Sequence, residues 1–360
     1  MHGGTEGKQG NMSDKLENEQ KVDFQAGVSE ILAIIEQGRE REIITRRFGL
    51  YDRRETLEQI GELLGITRER VRQLEKAILI KLRAATENGK VAVINSFEKV
   101  IIRKLSEMGR VARVSDLTDK LFNATSDQRQ RAQIAFIAEL APGLTVVGEN
   151  DNYFHSVGIR EYGDDKKIRS EVDSIVSTIR KHGEPLTIEQ LHDKLSYEHP
   201  DYVRALASVS KLLAHLKDNW GLVRWPTVNP KNIRDKIFVI LAENGKPMHF
   251  SEIAKYIKDS SFKRKDVTTQ AIHNELIKDG RFVLIGRGIY ALDTWGFSRG
   301  TVADIIADVL KNSAVPLHRD EIVKRVLKSR HVKETTILLN LQSKSQFKRV
   351  AKATYALETK

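Results

Sequence analysis

An internal repeat that fills most of the chain constrains its fold more than any other feature. The segment GKPMHFSEIAKYI begins at Gly245 and AVPLHRDEIVKRV begins at Ala314, an offset of 69 residues. The segments that close these two units, FVLIGRGIYAL and FKRVAKATYAL, also align without gaps. GEPLTIEQLHDKL, from Gly183, fits the same template, and ARVSDLTDKLF, from Ala112, fits it at fewer positions. Units of this length are too long for a solenoid and predict an array of small domains.

Each repeated unit is predicted to contain three helices and a hairpin. In the unit near Gly245 an apolar-periodic helix, 232–243, precedes two shorter helices, 251–258 and 267–278. Two strands follow, and the Gly-Arg-Gly between them can turn a hairpin. Three helices plus a hairpin indicate a winged helix. In the unit near Gly183 the third helix is predicted over YVRALASVSKLLAHLKDN, and its apolar character favours packing or a protein interface.

A second pattern, between residues 39 and 83, predicts a helix-turn-helix. Thr56 can cap a first helix that ends at Leu64, Gly65 can make the turn, and Thr67 can cap a longer second helix. One face of the second helix is apolar, with Val71, Leu74 and Ile78. The opposite side is polar and basic, with Arg68, Glu69, Arg72, Gln73 and Lys76.

This polar face has the chemistry of a major-groove reader. Arginine can pair with guanine, glutamine with adenine, and glutamate can accept a hydrogen bond from cytosine. Other arginines can neutralise phosphates. The alternative is a solvated amphipathic helix of a bundle, whose charged residues simply face water.

The stretch FGL…TLEQIGELLGITRERVRQLEKAILIKLR closely resembles region 4 of the sigma-70 family of bacterial RNA polymerase, over roughly residues 28–84. The resemblance implies recognition of the promoter −35 element and docking on the polymerase flap, with helix 41–48 as part of the docking surface. It implies base reading by Arg68, Glu69 and Gln73. It also implies phosphate contacts by Arg70 and Arg72, with Thr67 as the cap. With Lys76, the predicted set of phosphate contacts is Thr67, Arg70, Arg72 and Lys76.

The repeats carry a second resemblance. Their pattern Pro-x-His-x-x-Glu-Ile, followed by a terminal Tyr-Ala-Leu, resembles the HARE-HTH family, a winged-helix domain found in the delta subunit of Gram-positive RNA polymerase. This implies nucleic-acid or polymerase-associated modules without catalysis. His249 and His318 hold equivalent positions and are interpreted as turn or cap residues. Candidate DNA contacts in the last two units are Gln270, Asn274, Arg287, Lys333 and Lys352. The alternative for these residues is an ordinary solvated face on protein-binding domains.

Composition restricts the classes of function. Lys and Arg outnumber Asp and Glu by 60 to 49, which favours a polyanionic partner. The absence of cysteine removes disulfides, thiolate zinc sites and cysteine nucleophiles. Neither an H-E-x-x-H motif, a phosphate-binding P-loop nor a nucleophile elbow occurs. The chain is therefore predicted to be neither an enzyme nor a metal or cofactor protein. No apolar run approaches the length of a membrane span, and the N-terminus lacks the apolar core of a signal peptide. A cytoplasmic, nucleoid-associated location without membrane contact is therefore expected.

The predicted fold class is mainly α with small β hairpins, a helix-turn-helix domain followed by a tandem array of winged-helix domains. Short linkers are expected near 88–90, 162–167, 229–231 and 295–298. The predicted segments are a disordered tail 1–27, the helix-turn-helix domain 28–90, and four winged-helix units at 91–161, 167–228, 231–296 and 299–360.

The predicted function is that of a sequence-specific transcription factor that reads a −35-like promoter element in double-stranded DNA and associates with the bacterial RNA polymerase flap. Only Phe24 is aromatic before the helix-turn-helix region, so the aromatic-rich −10 melting region of a full sigma factor is not expected. One alternative is a polymerase-binding adaptor that displaces a sigma factor without reading sequence. Another is an accessory protein of a DNA-modification system.

Overall fold

The computed structural model describes residues 23–262, 264, 266–313 and 315–358. The chain divides between Leu222 and Val223 into two compact units. Helices predominate in the described residues, where the strands form small antiparallel sheets. The mainly α class with small β elements is confirmed.

The first helix, α1 (Phe24–Ala33), begins inside the stretch predicted as a disordered tail. Asp23 caps it, because its carboxylate accepts a hydrogen bond from the Ala26 amide at 3.0 Å. Phe24, Val28 and Ile31 are buried on its inner face. The prediction of disorder was therefore wrong from Phe24 onward, and residues 1–22 lie outside the described part of the chain.

Three helices follow in the order predicted for the helix-turn-helix: α2 (Gly38–Phe48), α3 (Leu57–Leu64) and α4 (Arg68–Glu87). The last of these continues beyond residue 83, where the helix-turn-helix pattern ends, so α4 contains 20 residues. At 1.5 Å per residue its length is about 30 Å.

The first repeat consists of α5 (Ala92–Glu107), β1 (Val111–Arg113), α6 (Val114–Phe122), α7 (Gln128–Leu140), β2 (Leu144–Val147) and β3 (Ser156–Ile159). Its sheet has the order β1-β3-β2. The strand β1, between the first two helices, was not predicted, because a strand of three residues carries almost no periodic signal. It pairs with β3, with Ala112 opposite Val157.

The second repeat consists of α8 (Asp165–His182), β4 (Leu186–Thr187), α9 (Ile188–Leu195), α10 (Pro200–Val209), β5 (Leu213–Leu216) and β6 (Asn219–Leu222). The prediction of one helix over residues 202–219 was wrong in its second half. Leu213–Leu216 is a strand paired with β6, and Lys217 turns the hairpin with a φ of 53°. The leucines at 212, 213 and 216 have helical spacing, and pairing with β6 selects the strand instead.

A single hydrophobic core joins the helix-turn-helix to the first repeat. The Phe24 and Phe97 rings lie 4.9 Å apart, and the Phe48 and Phe136 rings 5.0 Å apart. Phe136, on α7, is fully buried in this core. Arg83 on α4 also donates to the main-chain carbonyl of Glu139 at the end of α7. The segments 28–90 and 91–161, predicted as separate domains, are therefore parts of one packed body.

The second repeat is attached to the first by main-chain contacts. Tyr153 forms an antiparallel bridge with Ser210. The Phe154 amide donates to the Val209 carbonyl at 2.8 Å. An ion pair of 2.5 Å between Arg110 and Glu198 adds to this junction.

The second compact unit contains two further repeats. The third has α11 (Ile233–Asn244), β7 (Met248–His249), α12 (Phe250–Asp259), α13 (Thr269–Lys278), β8 (Phe282–Gly286) and β9 (Ile289–Leu292). The fourth has α14 (Val302–Lys311), β10 (Leu317–His318), α15 (Arg319–Ser329), α16 (Glu334–Ser343), β11 (Phe347–Ala351) and β12 (Thr354–Leu357). All four repeats share one element order, and each sheet has its first strand beside its last.

The connection between the third and fourth repeats is packed. Trp295 and Phe297 lie on a buried cluster that includes Ile285. The His331 amide donates to the Ile285 carbonyl at 3.0 Å, and a Cβ added to Gly286 would lie 2.9 Å from the His331 carbonyl oxygen. The segment 295–298, predicted as a linker, instead forms part of this junction, because its aromatic side chains cover the outer face of the sheet.

Candidate nucleic-acid interface

The turn between α3 and α4 is fixed by the caps expected from the sequence. The Gln59 amide donates to the Thr56 hydroxyl at 3.2 Å, and the Thr56 amide donates to the Gln59 side chain at 2.9 Å, which completes a capping box. Gly65 ends α3 with a φ of 64°. The Thr67 hydroxyl accepts from the Arg70 amide at 3.2 Å, so the predicted cap of α4 is confirmed.

A small apolar core holds α4 against the two preceding helices. It is formed by Ile43 of α2, Ile60 of α3 and Val71 of α4, all fully buried. The helices approach closely at Gly61, where an added Cβ would lie 2.7 Å from the Ile66 carbonyl oxygen. This packing leaves the opposite face of α4 exposed to solvent.

The seven residues predicted to contact DNA at this face are all exposed: Thr67, Arg68, Glu69, Arg70, Arg72, Gln73 and Lys76. Several of them bind one another. Arg72 donates two hydrogen bonds to the Glu69 carboxylate, at 2.8 and 2.7 Å. Gln73 donates to the same carboxylate at 3.3 Å and accepts from Arg70 at 3.4 Å. Two predicted base readers, Glu69 and Gln73, and two predicted phosphate contacts, Arg70 and Arg72, therefore form one network. Reading a base with Glu69 requires its bonds with Arg72 to rearrange.

Arg72 determines the charge state of Glu69 in this network. Hydrogen bonds from Arg72 lower the pKa of Glu69 to about 2, and the Glu69 carboxylate raises the pKa of Arg72. Glu69 is thus an ionised, acceptor-only group at neutral pH. Arg68 and Lys76 make no ion pair within the described residues.

Comparison with known proteins singles out this part of the chain. The family described as Sigma-70, region 4 matches residues 37–84. Sigma factor SigA1 of Synechococcus elongatus is 51% identical over 51 residues, which cover 14% of this chain and 13% of the relative. Sigma factor RpoD of Helicobacter pylori is 38% identical over 76 residues, which cover 21% of this chain and 11% of the relative.

Residues 37–84 form a sigma-70 region 4 domain. Its α3 and α4 are the helix-turn-helix described above. The resemblance inferred from TLEQIG and ITRERVRQLE is confirmed. The chain spans only about an eighth of the length of these two sigma factors. The family match ends at residue 84, before the first repeat.

The helix α2 of this domain, predicted as part of a polymerase-docking surface, uses its apolar residues inside the chain. Ile44 is fully buried and Phe48 packs on Phe136 of the first repeat. Two of its arginines are in ion pairs, Arg46 with Glu55 at 2.8 Å and Arg47 with Glu75 at 3.2 Å. The face of α2 that remains accessible is polar.

The predicted contacts in the last two repeats are also exposed: Gln270, Asn274, Arg287, Lys333 and Lys352. Gln270 donates to Asn274 at 3.1 Å on α13. Lys333 immediately precedes α16, and Lys352 lies between β11 and β12. Lys348 belongs to the same basic surface of the fourth repeat, since it lies on β11, where every residue after Phe347 is exposed.

Charge is unevenly divided between the two compact units. Residues 223–360 contain 26 Lys and Arg against 14 Asp and Glu. Residues 1–222 contain 34 against 35. The excess positive charge of the chain therefore belongs to the unit that contains the third and fourth repeats.

Two histidines at equivalent positions of the last two repeats cap helices. The Nδ1 atom of His249 accepts from the Ser251 amide at 3.3 Å, and that of His318 accepts from the Asp320 amide at 3.4 Å. Both are N-caps, as predicted. No group of three or more acidic or histidine residues that could hold a metal ion occurs within the described ranges. Within the same ranges no helix is long and apolar enough to span a membrane.

Proposed function

We propose that this protein is a sequence-specific transcription factor that recognises a −35-like promoter element with α4. The observation that carries the proposal is the exposed polar face of α4 within a sigma-70 region 4 domain. Arg68, Glu69 and Gln73 are the proposed base readers, since their side chains have the donors and acceptors that distinguish base pairs. Thr67, Arg70, Arg72 and Lys76 are the proposed phosphate contacts.

We further propose that the four repeats are winged-helix domains of the HARE-HTH type, and that the last two provide sequence-independent DNA affinity. Support comes from their helix–strand–helix–helix–strand–strand order and from the positive charge of residues 223–360. A phosphate-binding surface on the same chain as a base reader raises the effective concentration of DNA at α4. In this proposal the protein binds DNA and RNA polymerase and has no catalytic activity of its own.

The test is in vitro selection of duplex DNA by the whole protein at about 0.15 M salt, because phosphate binding depends on salt. Recovery of a short motif is expected. Arg68→Ala and Gln73→Ala should each lose about 1–3 kcal/mol of binding to that motif and relax the preference at one position.

Lys76→Ala should instead weaken binding to all sequences alike, because a phosphate contact carries no sequence information. Arg180→Ala, an exposed arginine on α8, is the matched control and should leave both affinity and motif unchanged. Equal losses on every DNA sequence from Arg68→Ala would refute base reading.

A second candidate is a polymerase-binding adaptor that does not read sequence. The internal pairing of Glu69 with Arg72 favours it, because both groups are already satisfied without DNA. Selection that returns no motif, combined with capture of purified RNA polymerase that competes with a sigma factor, would establish the adaptor.

A further inference from the structure

A cleft of about 570 Å³ lies between the helix-turn-helix and the first repeat, inside the first compact unit. Phe48 and Leu79 line it from α2 and α4, and Arg113, Phe154 and His155 line it from the first repeat. Its volume is in the range of small-ligand sites. The predicted function used none of these residues.

The acidic residues of the cleft are already neutralised. Glu75 pairs with Arg47 at 3.2 Å, and Glu149 pairs with Lys211 at 2.7 Å. Glu139, the remaining carboxylate of the lining, pairs with Arg83. None of these three cations lines the cleft.

Two arginines of the cleft have no carboxylate partner within the described residues. Arg113 donates its Nε to the Ser208 carbonyl and lies 4.0 Å from the centre of the Phe154 ring. These contacts leave both terminal amino groups of Arg113 without an acceptor in the described chain. Arg54 lies at the exposed mouth of the cleft and makes no side-chain hydrogen bond to another described residue. Burial lowers the pKa of both guanidinium groups, which nevertheless stay charged at neutral pH.

Two further groups add hydrogen-bond donors to the cleft. Arg131 is held in place by a hydrogen bond of 2.8 Å from its Nε to the Ser126 hydroxyl, and one of its terminal amino groups lies 3.8 Å from the Asp119 carboxylate. Burial, followed by the nearby charge of Arg54, lowers the pKa of His155, so its imidazole is neutral at pH 7 and can donate one hydrogen bond. Partly desolvated guanidinium groups without anions are unfavourable, and an anion with several oxygens would satisfy them.

We propose that this cleft binds a phosphate group, with Arg54 and Arg113 as the principal ligands and Arg131 and His155 as additional donors. Phosphate suits the site because the planar guanidinium fork pairs with two of its oxygens at once. The phosphate has two chemical sources, a phosphodiester of duplex DNA or a free phosphorylated small molecule.

The position of the cleft on α4 connects it to DNA. Arg68, Arg72, Glu75 and Leu79 follow one another at spacings of four, three and four residues, so the four share one side of the helix. The axial distance from Arg72 to Leu79 is about 10 Å, comparable to the major-groove width of about 12 Å. A phosphate beside the groove read by α4 is therefore within reach. The assignment of the phosphate to DNA rests on the proposed function, whereas its assignment to a free phosphorylated molecule does not.

The test compares wild-type protein with Arg54→Gln, with the double variant Arg54→Gln/Arg113→Gln, and with the control Arg180→Gln. Arg54→Gln removes a side chain without a hydrogen-bond partner, so it tests the cleft even if the double variant is unstable. Each protein is titrated calorimetrically with inorganic phosphate and with tripolyphosphate. Its affinity for the selected duplex is also measured against salt concentration.

If the source is DNA, the arginine variants lose affinity for all duplexes, and the slope of log K against log salt becomes shallower by about 1–2. The selected motif stays the same. If the source is a free ligand, wild-type protein binds tripolyphosphate at one site, Arg54→Gln weakens this by about tenfold or more, and DNA binding is unchanged.

Unchanged DNA binding together with unchanged or absent phosphate binding in every variant would overturn the proposal. A failure of the proposed function is separately visible. Selection would then return no motif, while tripolyphosphate binding to the cleft and its loss in Arg54→Gln would persist.

Discussion

The two compact units differ in where they place charge and apolar contacts. Residues 1–222 are almost balanced in charge and contain the region 4 domain, whereas residues 223–360 contain nearly twice as many basic as acidic residues. In the first unit α4 packs into a core shared with the next repeat. In the second unit, the side chains of Lys348 and Arg349 on strand β11 are exposed to solvent.

Under the proposed function, this difference assigns sequence specificity and DNA affinity to separate parts of the chain. Reading bases requires a few side chains held in fixed positions, and a shared core provides that rigidity. Attracting a polyanion requires only net charge and exposure. The experiments below address this division, starting with the largest expected effect.

Phe136→Ala should destabilise the first compact unit by about 3–5 kcal/mol, because it empties a fully buried site in the shared core. Hydrogen exchange measured by mass spectrometry should show faster exchange in both α4 and α7. Tyr290→Ala, a comparable truncation in the third repeat, is the matched variant for the second unit. Faster exchange confined to α7 after Phe136→Ala would show that the helix-turn-helix is independent of the first repeat.

Replacing Lys344, Lys348, Arg349 and Lys352 together by Gln should make the salt dependence of DNA binding shallower by about 3–4 in slope, if each contacts one phosphate. Affinity should fall on the order of a hundredfold at about 0.15 M salt, with the selected motif unchanged. The control replaces four exposed lysines of the first unit by Gln: Lys99, Lys120, Lys166 and Lys181. An equal effect of the control would contradict the assignment of affinity to the second unit.

Gly286→Ala should destabilise the second unit by about 1–3 kcal/mol, because the added methyl group would lie 2.9 Å from the His331 carbonyl oxygen. Chemical denaturation monitored by tryptophan fluorescence can report this, since Trp295 lies on the adjacent cluster. Gly280→Ala is the control, because the nearest atom to its new methyl group would be an Arg299 nitrogen at 3.8 Å. Equal denaturation midpoints for the two variants would mean that the backbone at His331 can move away from the added methyl group at little cost in stability.

Glu69→Gln should have the smallest effect on folding stability, and this effect should appear only in a defined pH range. The folded-state pKa of Glu69, about 2, lies below its ordinary value of 4.5, so its contribution to stability is present above pH 4.5 and is lost as the pH falls towards 2. The stability difference between wild type and variant should therefore shrink between pH 5 and pH 2. Glu62→Gln, an exposed carboxylate on α3, serves as the control. A difference that does not change with pH would contradict the pairing with Arg72.

Local signals made the helix-turn-helix predictable. Thr56, Gly65 and Thr67 carry their information in their own side chains or conformations, and each has the predicted role. The histidine caps at His249 and His318 followed in the same way from their repeat positions.

Features that depend on distant partners were missed. The apolar spacing of Phe24, Val28 and Ile31 could have indicated α1, but the polar residues before it favoured disorder. The short strands β4, β7 and β10 contain two residues each and exist only because a later strand pairs with them. Arg54 and Arg113 are 59 positions apart, so only the fold shows that they line one cleft.

The length of α4 has a mechanical consequence. Its first turns carry the side chains proposed to read bases, and its later turns, at Ile78 and Leu82, are buried in the core shared with the first repeat. The first turns are packed as well, since Val71 is buried against α2 and α3, so one continuous helix joins the helix-turn-helix core to the first repeat without a flexible joint. If α4 binds DNA as proposed, the first repeat takes a fixed rotational setting around the DNA axis. Changing the spacing of flanking contacts by half a helical turn would then matter more than changing it by a full turn.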